Sequence, residues 1–367
     1  MIYSSKLFYK FLFFMPFVAV ISNKLSSIIA YGIIGFFLVS FFLFKIKFTQ
    51  VNIISQLYVL FLIIILYFVF IYHLLAYDYI NIYYIQFFGA QLIFFFIISL
   101  FIDVNYLTSN HLKTFFESMV FIIFFSVIID YFLIKNGLMT SQLMFKQEAT
   151  SYHGKALGLF GQFSINTSYI IVFYMLFLSF SDNINKFKNI ILLSMITITI
   201  VIQNSGTGYI LYLLLLGTIF YKSKLARYIL LPFFILLFFI IIMNNLVAKI
   251  SFDYLYVSYQ YFSEIVNLTY FSNVHSVYDV LFGINGNYNF PIDFGPIFMI
   301  AKVGLLYFLF YVITIFYMIY KVKDRYLRMS ILSLVFANLH YPALFYPIIN
   351  VLLPLLYIYN EKKQLNN

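Results

Sequence analysis

The chain has 367 residues, of which 64% are hydrophobic and only 9% charged, whereas a soluble domain carries about 45–50% apolar and about 25% charged residues. No globular core hides this much Phe, Ile, Leu and Tyr, so the solvent that fits the chain is a lipid bilayer. Cysteine is absent, which excludes disulfides, thiolate catalysis and Cys-ligated metals. The net charge of +10 reflects membrane sidedness, argued below, and not a nucleic-acid partner.

In chain order, continuous apolar runs predict spans near 7–22, 28–44, 53–75, 82–102, 115–134, 166–180, 189–204, 208–221, 228–247, 295–320, 329–345 and 347–359. Backbone groups in lipid must close their bonds internally, so each run is expected to be helical. The first run follows Lys6 and has no small-residue cleavage site after it, so it reads as a span and not as a leader. The expectation is an all-α integral membrane protein, one polytopic domain over 1–367, with about twelve transmembrane helices (eleven to thirteen). Tryptophan is absent, leaving tyrosine to supply the interfacial aromatic belt.

Charge sets the orientation. With the N-terminus inside, sixteen of the 22 basic residues fall on the cytoplasmic side, in clusters at 6–10, 45–47, 113, 186–188, 222–227, 321–328 and 362–363. Lys24, Lys135, Lys146, Lys155 and Lys249 fall outside, and Lys302 lies within a span. Basic residues favour cytoplasmic loops, so both termini are expected in the cytoplasm. Two longer segments, about 135–165 and about 248–294, then emerge on the outer side. Long loops in such a frame usually carry function.

The first of these loops contains His153 and Lys155 ahead of Gly158 and Gly161. Both side chains suit an anion or a proton, although a solvated loop with a lysine near lipid headgroups explains them equally well. The glycines allow a tight turn or close backbone approach. The second loop contains His275 and Asp279, spaced to share one helix face. There a carboxylate would orient the imidazole of a general base; an ordinary surface pair is the plain alternative. Asp293 precedes Gly295-Pro296 and is placed to cap a helix. Lys302 sits about two turns into an apolar span. It either snorkels to the outer interface or presents its ammonium to a phosphate. His340 lies near the outer end of its span and either shares that cavity or sits at the interface. Asp130 and His73, near span ends, read as interfacial residues. No histidine pair has metal-site spacing, Gly283-Ile284-Asn285-Gly286 lacks the context of a dinucleotide site, and Ser205 reads as part of a tight turn.

Three segments carry a resemblance. The first is Lys155-Ala156-Leu157-Gly158-Leu159-Phe160-Gly161-Gln162, a basic residue followed by glycine–aromatic–glycine at the start of a span. The second is the turn Asn204-Ser205-Gly206-Thr207-Gly208 between two short spans. The third runs from Leu281-Phe282-Gly283-Ile284-Asn285-Gly286 through Asp293-Phe294-Gly295 to Lys302-Val303-Gly304-Leu305. In this order and topology the chain resembles the O-antigen and capsule polymerases of the Wzy type, within the family that includes O-antigen ligase. It departs from the family in its basic residues. All three arginines, Arg227, Arg325 and Arg328, are expected inside, Lys155 stands at the first basic position, and Gly206 replaces the basic residue of the short turn.

The resemblance implies a GT-C-like fold in a bacterial cytoplasmic (inner) membrane. It implies transfer of a growing glycan from undecaprenyl diphosphate to a new lipid-linked repeat unit on the outer leaflet. Within it, His275 with Asp279 and Lys155 form the catalytic set, and His153, Lys302, Asp293 and His340 bind substrate. The tyrosine-rich stretch Asp253–Tyr261 either packs on sugar faces or belongs to the interface belt. No metal or cofactor is required, because the donor is not a nucleotide sugar. Expected partners are the lipid-linked oligosaccharide, membrane lipids, a chain-length regulator and a flippase. O-antigen ligase is the alternative within the family, and a flippase of lipid-linked oligosaccharide is the alternative outside it.

Overall fold

A computed structural model describes residues 2–24, 53–77, 82–102, 107–136, 156, 158–181, 185–221, 228, 260, 263–264, 266, 273–284, 295–341 and 343–365. No strand occurs among them. The helices are α1 (Ile2–Lys24), α2 (Ile53–Ala76), α3 (Ile82–Phe101), α4 (Ser109–Lys135), α5 (Phe163–Ser179), α6 (Lys186–Gln203), α7 (Gly206–Phe220), the short α8 (Val277–Phe282), α9 (Gly295–Lys321), α10 (Arg325–His340) and α11 (Pro347–Leu365). Four of them contain a stretch long and apolar enough to cross a membrane: Ser55–Ala76, Ser109–Lys135, Lys186–Gln203 and Gly295–Lys321. Phe87–Leu100, Phe163–Ser179 and Gly206–Phe220 are shorter apolar helices. The expected spans 28–44 and 228–247 lie outside the described residues, apart from Tyr228.

The helix starts follow from capping chemistry. Thr108 accepts from the His111 N–H at 3.2 Å to open α4, and Asp324 accepts from the Leu327 N–H at 2.7 Å to open α10. Each satisfies an amide that the helix itself cannot. Both helices therefore start several residues ahead of the apolar runs at 115 and 329, because a capped first turn tolerates polar residues.

Two packed groups make the core. Helix α5 is buried from Ser164 to Leu178 and packs against α4, α6, α7 and α10. Helix α3 packs against α2, α9 and α11. A 3-10 turn, Ala343–Phe345, joins α10 to α11 between these groups and is wholly buried. A buried turn must find partners for its backbone polar groups. Tyr169 Oη donates to the Ala343 carbonyl at 2.6 Å, Gln91 Nε2 donates to the Leu344 carbonyl at 3.0 Å, and the Leu344 N–H donates to Asn338 Oδ1 at 3.3 Å. Side chains from α3, α5 and α10 thus fix the turn.

The exterior is also apolar. Leu57, Leu60, Phe61, Ile64, Tyr67 and Phe68 of α2 and Leu309, Ile313 and Phe316 of α9 are exposed. A patch of this kind is costly in water and at no disadvantage against lipid tails.

Candidate functional site

Two groups of polar residues gather at one end of the bundle. The first group is built on a broken helix. Helix α9 is interrupted at Gly304, whose φ of 84° and ψ of 163° belong to a region open in practice only to glycine. Gly283, at φ 85°, closes α8 directly against the break. A Cβ on Gly304 would lie 2.0 Å from the Leu281 carbonyl oxygen, and one on Gly283 would lie 2.7 Å from the Lys302 carbonyl carbon. The two backbones therefore interlock because neither position has a side chain. The Ala301 carbonyl, released by the break, accepts from the Ile284 N–H at 2.6 Å.

Lys302 sits at this break and is 2% exposed. Of its two expected readings, snorkelling to the interface does not suit a side chain enclosed this fully, and the Lys302 backbone packs against Gly283. His73, also 2% exposed, reaches the same place from α2, with Nε2 3.2 Å from the Gly283 carbonyl and the ring within Coulombic reach of both Lys302 and Asp279. A carbonyl only accepts, so in this contact Nε2 carries the proton. His73 is thus enclosed by the protein and does not stand on its surface.

Asp279 is placed differently from the expectation. Helix α8 starts at Val277, with Ser276 as its N-cap, so His275 precedes the helix and shares no face with Asp279. The Asp279 carboxylate accepts from the backbone N–H of His275 at 2.9 Å and from that of Ser276 at 2.8 Å, both on Oδ2. Ser276 and Asp279 form a reciprocal capping box. The other oxygen, Oδ1, accepts from Tyr72 Oη at 2.7 Å and from Tyr77 Oη at 2.6 Å. Asp279 is 4% exposed. Burial alone would raise its pKa, but the hydrogen bonds from Tyr77, Tyr72, the His275 N–H and Ser276 outweigh it and hold the carboxyl below its ordinary value. The carboxylate therefore orients the backbone of His275 and not its imidazole. The ring itself is exposed.

The second group gathers the first two of the three sequence segments. Gly158 and Gly161, at φ 63° and 68°, form a turn closed by the Gly161 N–H on the Gly158 carbonyl at 3.2 Å. Asp130 of α4 accepts from the Gly158 N–H at 3.2 Å, Ser126 from the Leu159 N–H at 3.0 Å and Asn166 from the Phe160 N–H at 3.1 Å. Asp130 is buried, with its carboxylate turned to the backbone of this turn. Asn204, at φ 45°, ends α6, and Ser205 caps α7 while donating to Ser164 Oγ at 3.1 Å. His340 Nδ1 lies 3.0 Å from Thr207 Oγ1 of the same turn. A Cβ at Gly206 would meet nothing within 4 Å. Gly295, which opens α9, packs its Cα against the Asn338 carbonyl of α10 and so links the two groups.

Of the residues singled out in the sequence, His275, Asp279, Lys302 and His340 are brought to this end. Lys155, His153 and Asp293 lie outside the described residues. His73, Asp130, Tyr72 and Tyr77 join the site without having been expected there. Among the described residues no three His, Asp or Glu side chains converge as a metal site would need. No family model, curated protein or solved structure matches this chain.

Proposed function

We propose that the protein polymerises lipid-linked oligosaccharide repeat units, transferring the growing glycan from undecaprenyl diphosphate to a new lipid-linked repeat unit at the outer face of the cytoplasmic (inner) membrane. In this reading the chain crosses the bilayer about twelve times, with both termini cytoplasmic, in a GT-C-like fold. One observation carries the proposal. The three segments that resemble the polymerase family lie far apart in sequence, and their described parts stand at the same end of the bundle, away from the end that holds most of the basic side chains.

The chemistry is an in-line glycosyl transfer. The acceptor hydroxyl oxygen bonds to the anomeric carbon of the donor and gives its proton to the imidazole of His275. The bond from that carbon to the diphosphate breaks, and its electron pair leaves with the polyprenyl diphosphate. Lys302 and Lys155 offset the charge that develops there. Asp279 accepts no proton in this scheme, because donors already occupy both of its oxygens. A chain-length regulator and a flippase are the partners such a polymerase works beside, and no metal or cofactor takes part.

The test is deletion of the gene, followed by electrophoresis of surface glycans from cells carrying wild-type, His275→Ala or Lys155→Ala protein. Deletion should leave only the single-repeat product, wild type should restore the ladder, and both variants should lose about a hundredfold or more of polymer. Normal chain length in both variants sinks the assignment. Lipid-linked repeats trapped inside the cell by deletion would instead mean a flippase. Full-length polymer left unattached to its lipid acceptor would mean a ligase.

A further inference from the structure

A six-residue helix does not hold itself in place, because helix nucleation costs more than so few bonds return. Helix α8 is fixed by tertiary anchors at its two ends. At its C-terminal end the Gly283–Gly304 interlock and the Ile284–Ala301 hydrogen bond tie it to α9, beside Lys302. At its N-terminal end the anchor is Asp279. A capping box needs only one carboxylate oxygen, and Oδ2 serves it. Oδ1 is engaged by two tyrosine hydroxyls, Tyr72 of α2 and Tyr77 just beyond its end, some two hundred residues earlier in the chain. The same carboxylate receives the His275 N–H. Tyr72, Tyr77, Asp279 and the His275 backbone therefore form one continuous chain of hydrogen bonds.

We propose that Tyr72 and Tyr77 are positioning residues for the glycosyl transfer: acting through Asp279, they fix where the His275 ring stands relative to the diphosphate end of the site. This rests on the polymerase reading and deepens it. The two anchors of α8 are separate, which gives the idea a signature. Loss of the tyrosine hydroxyls releases the His275 end, while the glycine interlock keeps the Lys302 end in place. Turnover should fall and apparent affinity for the lipid diphosphate should stay.

The experiment uses purified full-length protein in proteoliposomes with a lipid-diphosphate-linked repeat unit as substrate, measuring kcat and KM for Tyr72→Phe, Tyr77→Phe, the double variant and Asp279→Asn. Each single phenylalanine should lower kcat about tenfold, and the double by more than either single but less than the product of the two, because both hydroxyls act on one carboxylate oxygen. KM should stay within about twofold. On an Asp279→Asn background the phenylalanines should add nothing, because residues that act as one unit are not additive. Each single variant removes one oxygen atom, so the singles carry the test if the double variant fails to accumulate. Single variants with wild-type kcat, while His275→Ala is inactive, overturn the inference alone. So does a rise in KM with kcat unchanged, or full additivity with Asp279→Asn. A wild-type protein that makes no polymer overturns the functional reading, and this inference with it.

Discussion

The two ends of the bundle are built on different principles. At the basic end the helices finish regularly and their charges find ordinary partners. Lys188 pairs with Glu117 at 2.5 Å, Lys113 and Lys188 lie over the Phe177 ring at 5.9 and 5.7 Å, and Ser179 donates to Asp324 at 2.7 Å. Arg325 lies 4.4 Å over Tyr221, and Glu361 accepts from Ser55 at 2.9 Å and from Tyr357. At the opposite end every positive-φ residue among the described residues is found: Gly158, Gly161, Asn204, Gly283 and Gly304. Partly exposed ion pairs are worth about 0–1 kcal/mol each and tolerate replacement. Interlocked irregular backbone does not, and such conformations concentrate where a protein binds or reacts. One end is held by ordinary pairings that tolerate change, whereas the other is committed to a specific geometry.

The largest expected effect comes from filling the glycine interlock. Gly304→Ala asks an alanine to hold a conformation that costs about 1–3 kcal/mol outside glycine, and its Cβ would lie 2.0 Å from the Leu281 carbonyl oxygen. The two backbones must then part, and the Ile284–Ala301 hydrogen bond goes with them. A loss of about 3 kcal/mol or more is expected, read as a clear fall in the melting temperature of the detergent-solubilised protein. Gly283→Ala should act in the same direction. If Gly304→Ala melts like wild type, α9 is continuous through this point and the contrast between the ends fails.

A smaller effect should come from Asp279. Hydrogen bonds to a charged group contribute about 1.5–3 kcal/mol, so Asp279→Asn should cost about 2 kcal/mol at neutral pH. The sign with pH follows from the carboxyl being held below its ordinary value of about 3.9. The stabilisation is complete above that ordinary value and is lost as pH falls through the lowered one. Melting curves of wild type and Asp279→Asn should therefore differ at pH 7, begin to approach each other below about pH 4, and converge only once the pH has fallen past the lowered value. A gap that persists unchanged in acid would mean that the carboxylate charge is not what anchors α8.

Most of the helices were legible because an unbroken apolar run in lipid has few alternatives to helix. Their starts were less so, since Thr108 and Asp324 begin α4 and α10 in polar sequence that hydropathy assigns to loops. At the site, the spacing of Ser276 and Asp279 is that of a capping box, and that signal was present. The spacing of His275 and Asp279 pointed to the same stretch but to the wrong chemistry, because the helix starts one residue after the cap. Lys302 was conspicuous as a charge in a span, yet its burial beside the break at Gly304 is set by tertiary packing, which no local pattern announces. His73 and Asp130 carried the same signal of a polar group bordering an apolar run, and the interface offered an easier explanation for both. Tyr72 and Tyr77 were hidden by number: among 35 tyrosines, two that bind a carboxylate look like members of the aromatic belt until the chain is folded.

The smallest expected effect has the opposite sign, and for that reason it sharpens the comparison most. Gly217 lies inside α7 toward the basic end, has no positive φ, and a Cβ there would meet nothing within 4 Å. Its carbonyl, which accepts from Arg325 Nη2 at 3.4 Å, is untouched by a side-chain change. Alanine is preferred over glycine in a helix interior by about 0.8–1 kcal/mol. Gly217→Ala should therefore stabilise by up to about 1 kcal/mol and raise the melting temperature by about 2 °C or less for a chain of this size. The same methyl group is then expected to destabilise at Gly304 and to stabilise at Gly217. The difference is that the first glycine is used for its conformation and its lack of a side chain, while the second is an ordinary helical residue. A loss at Gly217 comparable to that at Gly304 would mean that sensitivity to glycine replacement is spread through the bundle and does not mark one end of it.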